Sequence, residues 1–251
     1  MKNSYKGQSL LILMAFFFLA ACQPKVLVKQ SVTGVDVQVS PAQGADPEFE
    51  AMIQPYKEKL DAGMNTVIGE NAVDMTVQRV ESNLGNFMAD LMQVEGSKVY
   101  GQPVDMGVVT NGSLRKPIAA GPMTTRDIYE LMPFENRLNI LELTGEQVMQ
   151  LMEYMVKTKS ASVSNSQVHV VGDQIQQVLI GGKPLELNGT YTVSISDYLA
   201  GGGDNMKFFL ETKKVLASDY MVRQMIFDYI EAHTVKGEPV HAEVEGRVII
   251  E

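Results

Sequence analysis

The chain has no tryptophan and a single cysteine, Cys22. One cysteine excludes an internal disulfide, so packing alone must hold the fold together. Basic residues are in short supply, with 21 Lys and Arg against 30 Asp and Glu, for a formal net charge of −9. That balance argues against nucleic acid as a partner, because a phosphate backbone needs a basic footprint. A small anionic ligand is still allowed wherever a few basic side chains converge. No Gly-x-Ser-x-Gly elbow occurs, and Ser194 and Ser196 have no evident base partner, so serine-nucleophile chemistry has no support. What the chain does have is methionine, sixteen in all, which reads as an adaptable core rather than a cofactor box.

The first residues read as a targeting segment. Lys2 and Lys6 form a basic start, and residues 10–20 form an apolar run too short to span a bilayer. The run ends Leu19-Ala20-Ala21-Cys22, which resembles the bacterial lipobox, in which the cysteine is acylated and leads the mature chain. The competing reading is an ordinary signal peptide cut after Ala21. The lipobox reading predicts a signal peptide over residues 1–21, a lipid-anchored tether over 22–45, and one large domain over 46–251. It places the protein in the cell envelope, held to a membrane by lipid.

Along the chain, short strands are expected at 26–28 and 35–39. A helix follows with Ile53, Tyr56, Leu60 and Met64 at helical spacing and a kink or fresh start at Pro55. Residues 67–69 and 73–77 read as short strands. Leu84, Phe87, Met88 and Leu91 form the face of a core helix, capped by Ser82 or Asn83. Residues 105–110 form a strand ending in the turn Asn111-Gly112. Two capping boxes, at Thr124 to Asp127 and Thr144 to Gln147, start further helices. A strand fills 137–143, a polar surface loop 160–166, and a hairpin 168–180. Residues 191–195 form a strand, 220–230 a helix and 244–250 a closing strand. This interleaving predicts an α/β domain (mixed α+β), with layered mixed sheets and packed helices.

One stretch organises the rest: Ser196-Asp197-Tyr198-Leu199-Ala200-Gly201-Gly202-Gly203-Asp204. A strand runs into an aromatic, then a triple glycine, then a carboxylate. Glycines there provide positive φ or close backbone approach. An aromatic and a fixed carboxylate suit a nucleoside, with the ring stacking on the base and the acid accepting from ribose hydroxyls. Such stacking contributes roughly 1–3 kcal/mol per base. The plainer reading is an ordinary strand-to-helix connection.

Taken with the blocks at 81–90, 108–118 and 125–144, this stretch resembles the C-terminal domain of the 5′-nucleotidase / UDP-sugar hydrolase family, over roughly residues 65–250. The resemblance implies a substrate-specificity domain in which Phe134 and Tyr198 sandwich a nucleobase. Phenylalanine is the usual residue at the second position, and tyrosine keeps the stacking face while adding a hydroxyl. It further implies that Asp204 binds ribose, Asn111 contacts the base and Arg115 contacts the substrate. Two departures stand out. The Asn111-Gly112-Ser113-Leu114-Arg115 loop is one residue shorter than the family's Asn-Gly-Gly-Gly-Ile-Arg. Gln78, with Arg79 beside it, stands where a second arginine is expected.

Family members hydrolyse phosphate esters with two metal ions held by a separate N-terminal domain. Here the three histidines, His169, His233 and His241, form no Asp-x-His, Gly-Asn-His-Asp or His-x-His pattern. The expectation is therefore a nucleotide- or nucleoside-binding module that holds no metal of its own. A separate metallophosphoesterase chain would supply the divalent ions. Two alternatives stay open: a stand-alone nucleoside-binding or scavenging lipoprotein, and an enzyme with metal ligands drawn from scattered carboxylates.

Overall fold

The computed structural model describes residues 44–251 together with Gly34, Asp36 and Ser40. The expected signal segment, the expected Cys22 anchor, the strand expected at 26–28 and all but Asp36 of that expected at 35–39 lie outside the described residues. The chain divides into two units, residues 1–50 and 51–251. Of the first, little more than the opening turn of helix α1 (Pro47–Met64) is described. That helix runs on through Pro55 and buries none of its residues.

The second unit is built on a five-stranded mixed sheet of β2 (Met106–Thr110), β4 (Arg137–Thr144), β5 (Ala161–Val163), β9 (Thr190–Ser196) and β10 (Lys213–Met221), in the order β10-β4-β9-β2-β5. β2 runs parallel to β9, and β4 runs antiparallel to it. Both faces are covered, so alternate side chains of one strand enter different cores. In β4, Leu138 and Ile140 join one core, and Leu141 and Leu143 the other. The first core is closed by α2 (Asn83–Tyr100), through Leu84, Phe87, Met88 and Leu91, and by α6 (Val222–Lys236), through Met225, Ile226 and Ile230. The second is closed by α4 (Gly145–Thr158) and by a four-stranded sheet that includes the hairpin β6 (Ser166–Val171) and β7 (Gln174–Ile180).

Local chemistry sets the helix starts. Ser82 accepts from the Gly85 N–H at the head of α2, the cap expected there. Thr124 and Asp127 form a complete capping box at α3 (Thr125–Leu131), and Thr144 and Gln147 form one at α4. β3 (Gly121–Thr124) pairs with β1 (Val67–Asn71) in a separate ribbon. The polar strap after α6 is pinned to the start of α2. Glu81 accepts from the backbone N–H groups of Glu245 and Arg247, each at 2.8 Å. The Arg247 guanidinium pairs with Asp90 at 2.7 Å and Glu245 at 2.9 Å. Burial works against the Arg247 charge, but the two carboxylates outweigh it and raise its pKa. The strap then leads into β11 (Val248–Ile250), parallel to β6.

Several expectations need correction. Residues 160–166 are not a surface loop: 161–163 form the buried edge strand β5. Its neighbour Ser164 is fully buried because its hydroxyl donates to Gln93 and accepts from the Gly107 N–H. Residues 73–77 form no strand, only a single bridge from Met75 to Ile118. Tyr220 and Met221 end β10 rather than start a helix.

α2 lies so close to β2 that a Cβ on Gly107 would sit 2.1 Å from the Ala89 carbonyl oxygen and 2.6 Å from the Gln93 nitrogen. Backbone atoms cannot step aside, so Gly107→Ala is expected to cost about 3 kcal/mol of stability in urea denaturation. Burial tends to raise the Asp127 pKa, but hydrogen bonds from Thr124 and Lys116 outweigh it and hold it below its ordinary 3.8. A carboxylate lowered by folding contributes stability in full above that ordinary value and loses it as pH falls through the folded one. Asp127→Asn should therefore destabilise the protein more at about pH 6 than near pH 2, as read by thermal unfolding.

Candidate functional site

The parallel pairing of β2 and β9 brings their C-terminal ends to one edge of the central sheet, and antiparallel β4 begins at that same edge. Three loops leave from there side by side. Thr110 ends β2 and leads through a 3₁₀ turn, Asn111–Ser113, to Arg115. Ser196 ends β9 and caps the short helix α5 (Asp197–Ala200), which carries Tyr198 into the glycine turn and Asp204. Met132, Pro133 and Phe134 lead into β4. The carboxyl ends of parallel strands are the usual place for a ligand in open α/β sheets.

Phe134 and Tyr198 line the same cavity of about 300 Å³, together with Arg115, Asp204, Gly112, Ser113 and Asn136. Both rings keep substantial exposure, 37 % and 50 %, so neither is spent on the core. The loops bearing them are tied by one oxygen. Asp197 Oδ1 accepts from the Tyr198 N–H at 2.8 Å and from the Arg137 N–H at 3.1 Å. The Arg223 guanidinium donates to the carbonyls of Met132 and Phe134, each at 3.2 Å, and braces the Phe134 loop from α6.

Asp204 is held on all sides. Its backbone is left-handed at φ 50°, a conformation Asp tolerates better than most residues. The Thr110 hydroxyl donates to Oδ2 at 2.6 Å, the Tyr198 hydroxyl to Oδ1 at 3.0 Å, and the Tyr154 hydroxyl to its carbonyl at 2.9 Å. The triple glycine has the two expected uses. Gly202 takes φ 83°, and a Cβ on Gly203 would lie 2.5 Å from the Tyr198 ring.

Of the two residues expected on this loop, Arg115 lines the cavity and Asn111 does not. Arg115 reaches the cavity, its backbone N–H bonded to the Leu131 carbonyl at 2.8 Å. Its guanidinium is exposed and makes no ion pair among the described residues. Asn111 turns away, and its amide donates to the Gln78 carbonyl at 3.1 Å. Asn136 lines the cavity in its place. Neither Asn136 nor Asp197 was picked out from the sequence. The signals were an amide two residues past Phe134 and an acid at the first position of a helix. Arg79 lies along a different hollow of about 1130 Å³, and a third of about 720 Å³ flanks β1. Neither of these brings aromatic faces to a carboxylate.

Among the described residues, no group of three or more His, Cys, Asp or Glu is placed to hold a metal ion. His169 pairs with Glu251 at 3.3 Å, and the His233 ring contacts the Tyr229 carbonyl at 2.9 Å. The described residues therefore do not fit a dimetal centre.

Comparison with known proteins points the same way as the fold. The profile "5′-nucleotidase, C-terminal domain" matches residues 63–211, more than half of the chain. A 5′-nucleotidase of Vibrio vulnificus is 31 % identical over 170 residues, covering 63 % of this chain and 30 % of the relative. One from Vibrio parahaemolyticus is 25 % identical over 193 residues, covering 72 % of this chain and 33 % of the relative. This chain thus spans about a third of the length of these curated relatives. Among solved structures, a 5′-nucleotidase precursor from Thermus thermophilus superposes with a TM-score of 0.70 at 24 % identity, covering 84 % of this chain and 44 % of the other. The Haemophilus influenzae NAD nucleotidase does so with a TM-score of 0.60 at 18 % identity, over 82 % and 41 %. In each solved structure the match takes in less than half of the larger protein. The chain belongs to the 5′-nucleotidase C-terminal domain family.

Proposed function

We propose that this domain binds a nucleoside or nucleotide between Phe134 and Tyr198. It would then present the 5′-phosphate ester to a dimetal phosphoesterase on a separate chain. The observation that carries the reading is the shared cavity, with two part-exposed aromatic rings, a fixed carboxylate and a guanidinium without an ion pair among the described residues around one space. Stacking would hold the base, and Asp204 would accept from sugar hydroxyls. The exposed Arg115 charge would draw the phosphate toward the rim, where a fixed geometry in the presented ester favours attack. Hydrolysis itself would belong to the partner's metals. On the sequence reading, Cys22 carries a lipid that keeps this module at the membrane surface within the cell envelope, where a short search brings it to its partner.

A thermal-shift panel of nucleosides and 5′-nucleotides tests the binding half. A ligand at a hundred times its Kd stabilises by about 2.7 kcal/mol, a shift of several degrees for a domain of this size. Phe134→Ala should abolish that shift with little effect on the unliganded protein, because its ring is part-exposed. Mixing the protein with a metallophosphoesterase chain should raise nucleotidase activity, and Phe134→Ala should remove the increase. A panel in which no member shifts the wild type would sink the binding half. An unchanged rate on mixing would sink the presenting half and leave a stand-alone binding lipoprotein.

A further inference from the structure

Tyr198 meets the cavity twice. Its ring is one wall, and its hydroxyl leaves that wall to close a small hydrogen-bonded loop with Asp204. The phenolic oxygen donates to Asp204 Oδ1 at 3.0 Å and accepts from the Asp204 backbone N–H at 3.2 Å. On the far side, Thr110 donates to Oδ2 at 2.6 Å, and its oxygen lies 3.1 Å from the Ser113 hydroxyl. Among the described residues each carboxylate oxygen thus has one donor, Thr110 at the end of β2 and Tyr198 just beyond the end of β9. An ionised carboxylate offers about four lone-pair positions, so two stay open toward a ligand.

Two contacts make this arrangement stiff. The Asp204 main chain is fixed from behind by the Tyr154 hydroxyl. Gly203 passes so near the Tyr198 ring that a Cβ there would lie within 2.5 to 2.7 Å of three ring atoms, so the ring cannot swing toward the turn. Without the phenol, Oδ1 would have no side-chain donor among the described residues, and the carboxylate could turn about the Thr110 bond. Charged hydrogen bonds are the stronger kind, and setting them before a ligand arrives removes part of the ordering cost of binding.

We propose that Tyr198 is a positioning residue as well as a stacking surface. Its hydroxyl sets the Asp204 carboxylate for the sugar hydroxyls of a nucleoside whose base lies on the same ring. One side chain thereby fixes the register between base and sugar. A phenylalanine would stack equally well and leave the acid loose. The proposal rests on the nucleoside reading of this cavity and adds a separable claim about one oxygen atom.

Tyr198→Phe isolates that atom. The ring stays, and a side chain that is half exposed loses no core packing. Of adenosine, guanosine, cytidine and uridine, the one that binds the wild type most tightly is compared by calorimetry with its free base and its 2′,3′-dideoxy analogue. In the variant, affinity for the nucleoside should fall roughly tenfold, while affinity for the free base and the dideoxy analogue stays within about twofold. A variant that binds the nucleoside as tightly as the wild type overturns the proposal. So does a variant that loses base, analogue and nucleoside alike, since the hydroxyl would then merely hold the ring. A wild type that binds none of the four nucleosides overturns the nucleoside reading as well.

Discussion

The direction in which three neighbouring strands run is the constraint on which the site depends. β2 and β9 are parallel, and β4 lies antiparallel on the other side of β9. Two strand ends and one strand start therefore meet at a single sheet edge, and the loops bearing Arg115, Tyr198 and Phe134 must share the space beyond it. A sheet buried on both faces cannot slip by one residue without exchanging its two cores. In β4 a slip would trade Leu138 and Ile140 for Leu141 and Leu143. Register thus fixes where the rings stand, to a precision no loop could reach by itself.

Within that frame, single polar atoms do the fine placement. Asp197 ties the Tyr198 helix to the start of β4 through two backbone N–H groups that share one oxygen. Asp204 is aligned by hydroxyls from β2, α4 and α5. Neither carboxylate lies in the core, yet each joins segments far apart in sequence. The two aromatic rings both stay part-exposed.

Much of this was legible in the sequence where local chemistry is strong. Capping at Ser82, Thr124 and Thr144 depends on residues within one turn, and all three caps form as read. The Phe134, Tyr198, Arg115 and Asp204 grouping was legible only through the resemblance, since those residues come from three loops. What was not legible depends on distant partners. The segment around β5 reads as polar, yet Ser164 beside it is buried through Gln93 and Gly107, which no local pattern announces. β10 carries no clean alternation, since it is an edge strand with no fully buried residue. Asn111 bonds the Gln78 carbonyl, 33 residues away in sequence, a partner that no local pattern announces.

The strap held by Glu81 has a consequence for how the chain reaches its final form. Glu81 opens the segment whose helix covers the first core, and its carboxylate accepts from the nearby Asn86 amide and from backbone N–H groups 164 and 166 residues later. Contacts of such high sequence separation form slowly, because a long loop must close before they return any energy. Closure of the strap over α2 therefore joins an early segment of the described domain to its tail. Arg247 then serves α2 twice, its backbone N–H meeting Glu81 ahead of the helix and its guanidinium meeting Asp90 within it.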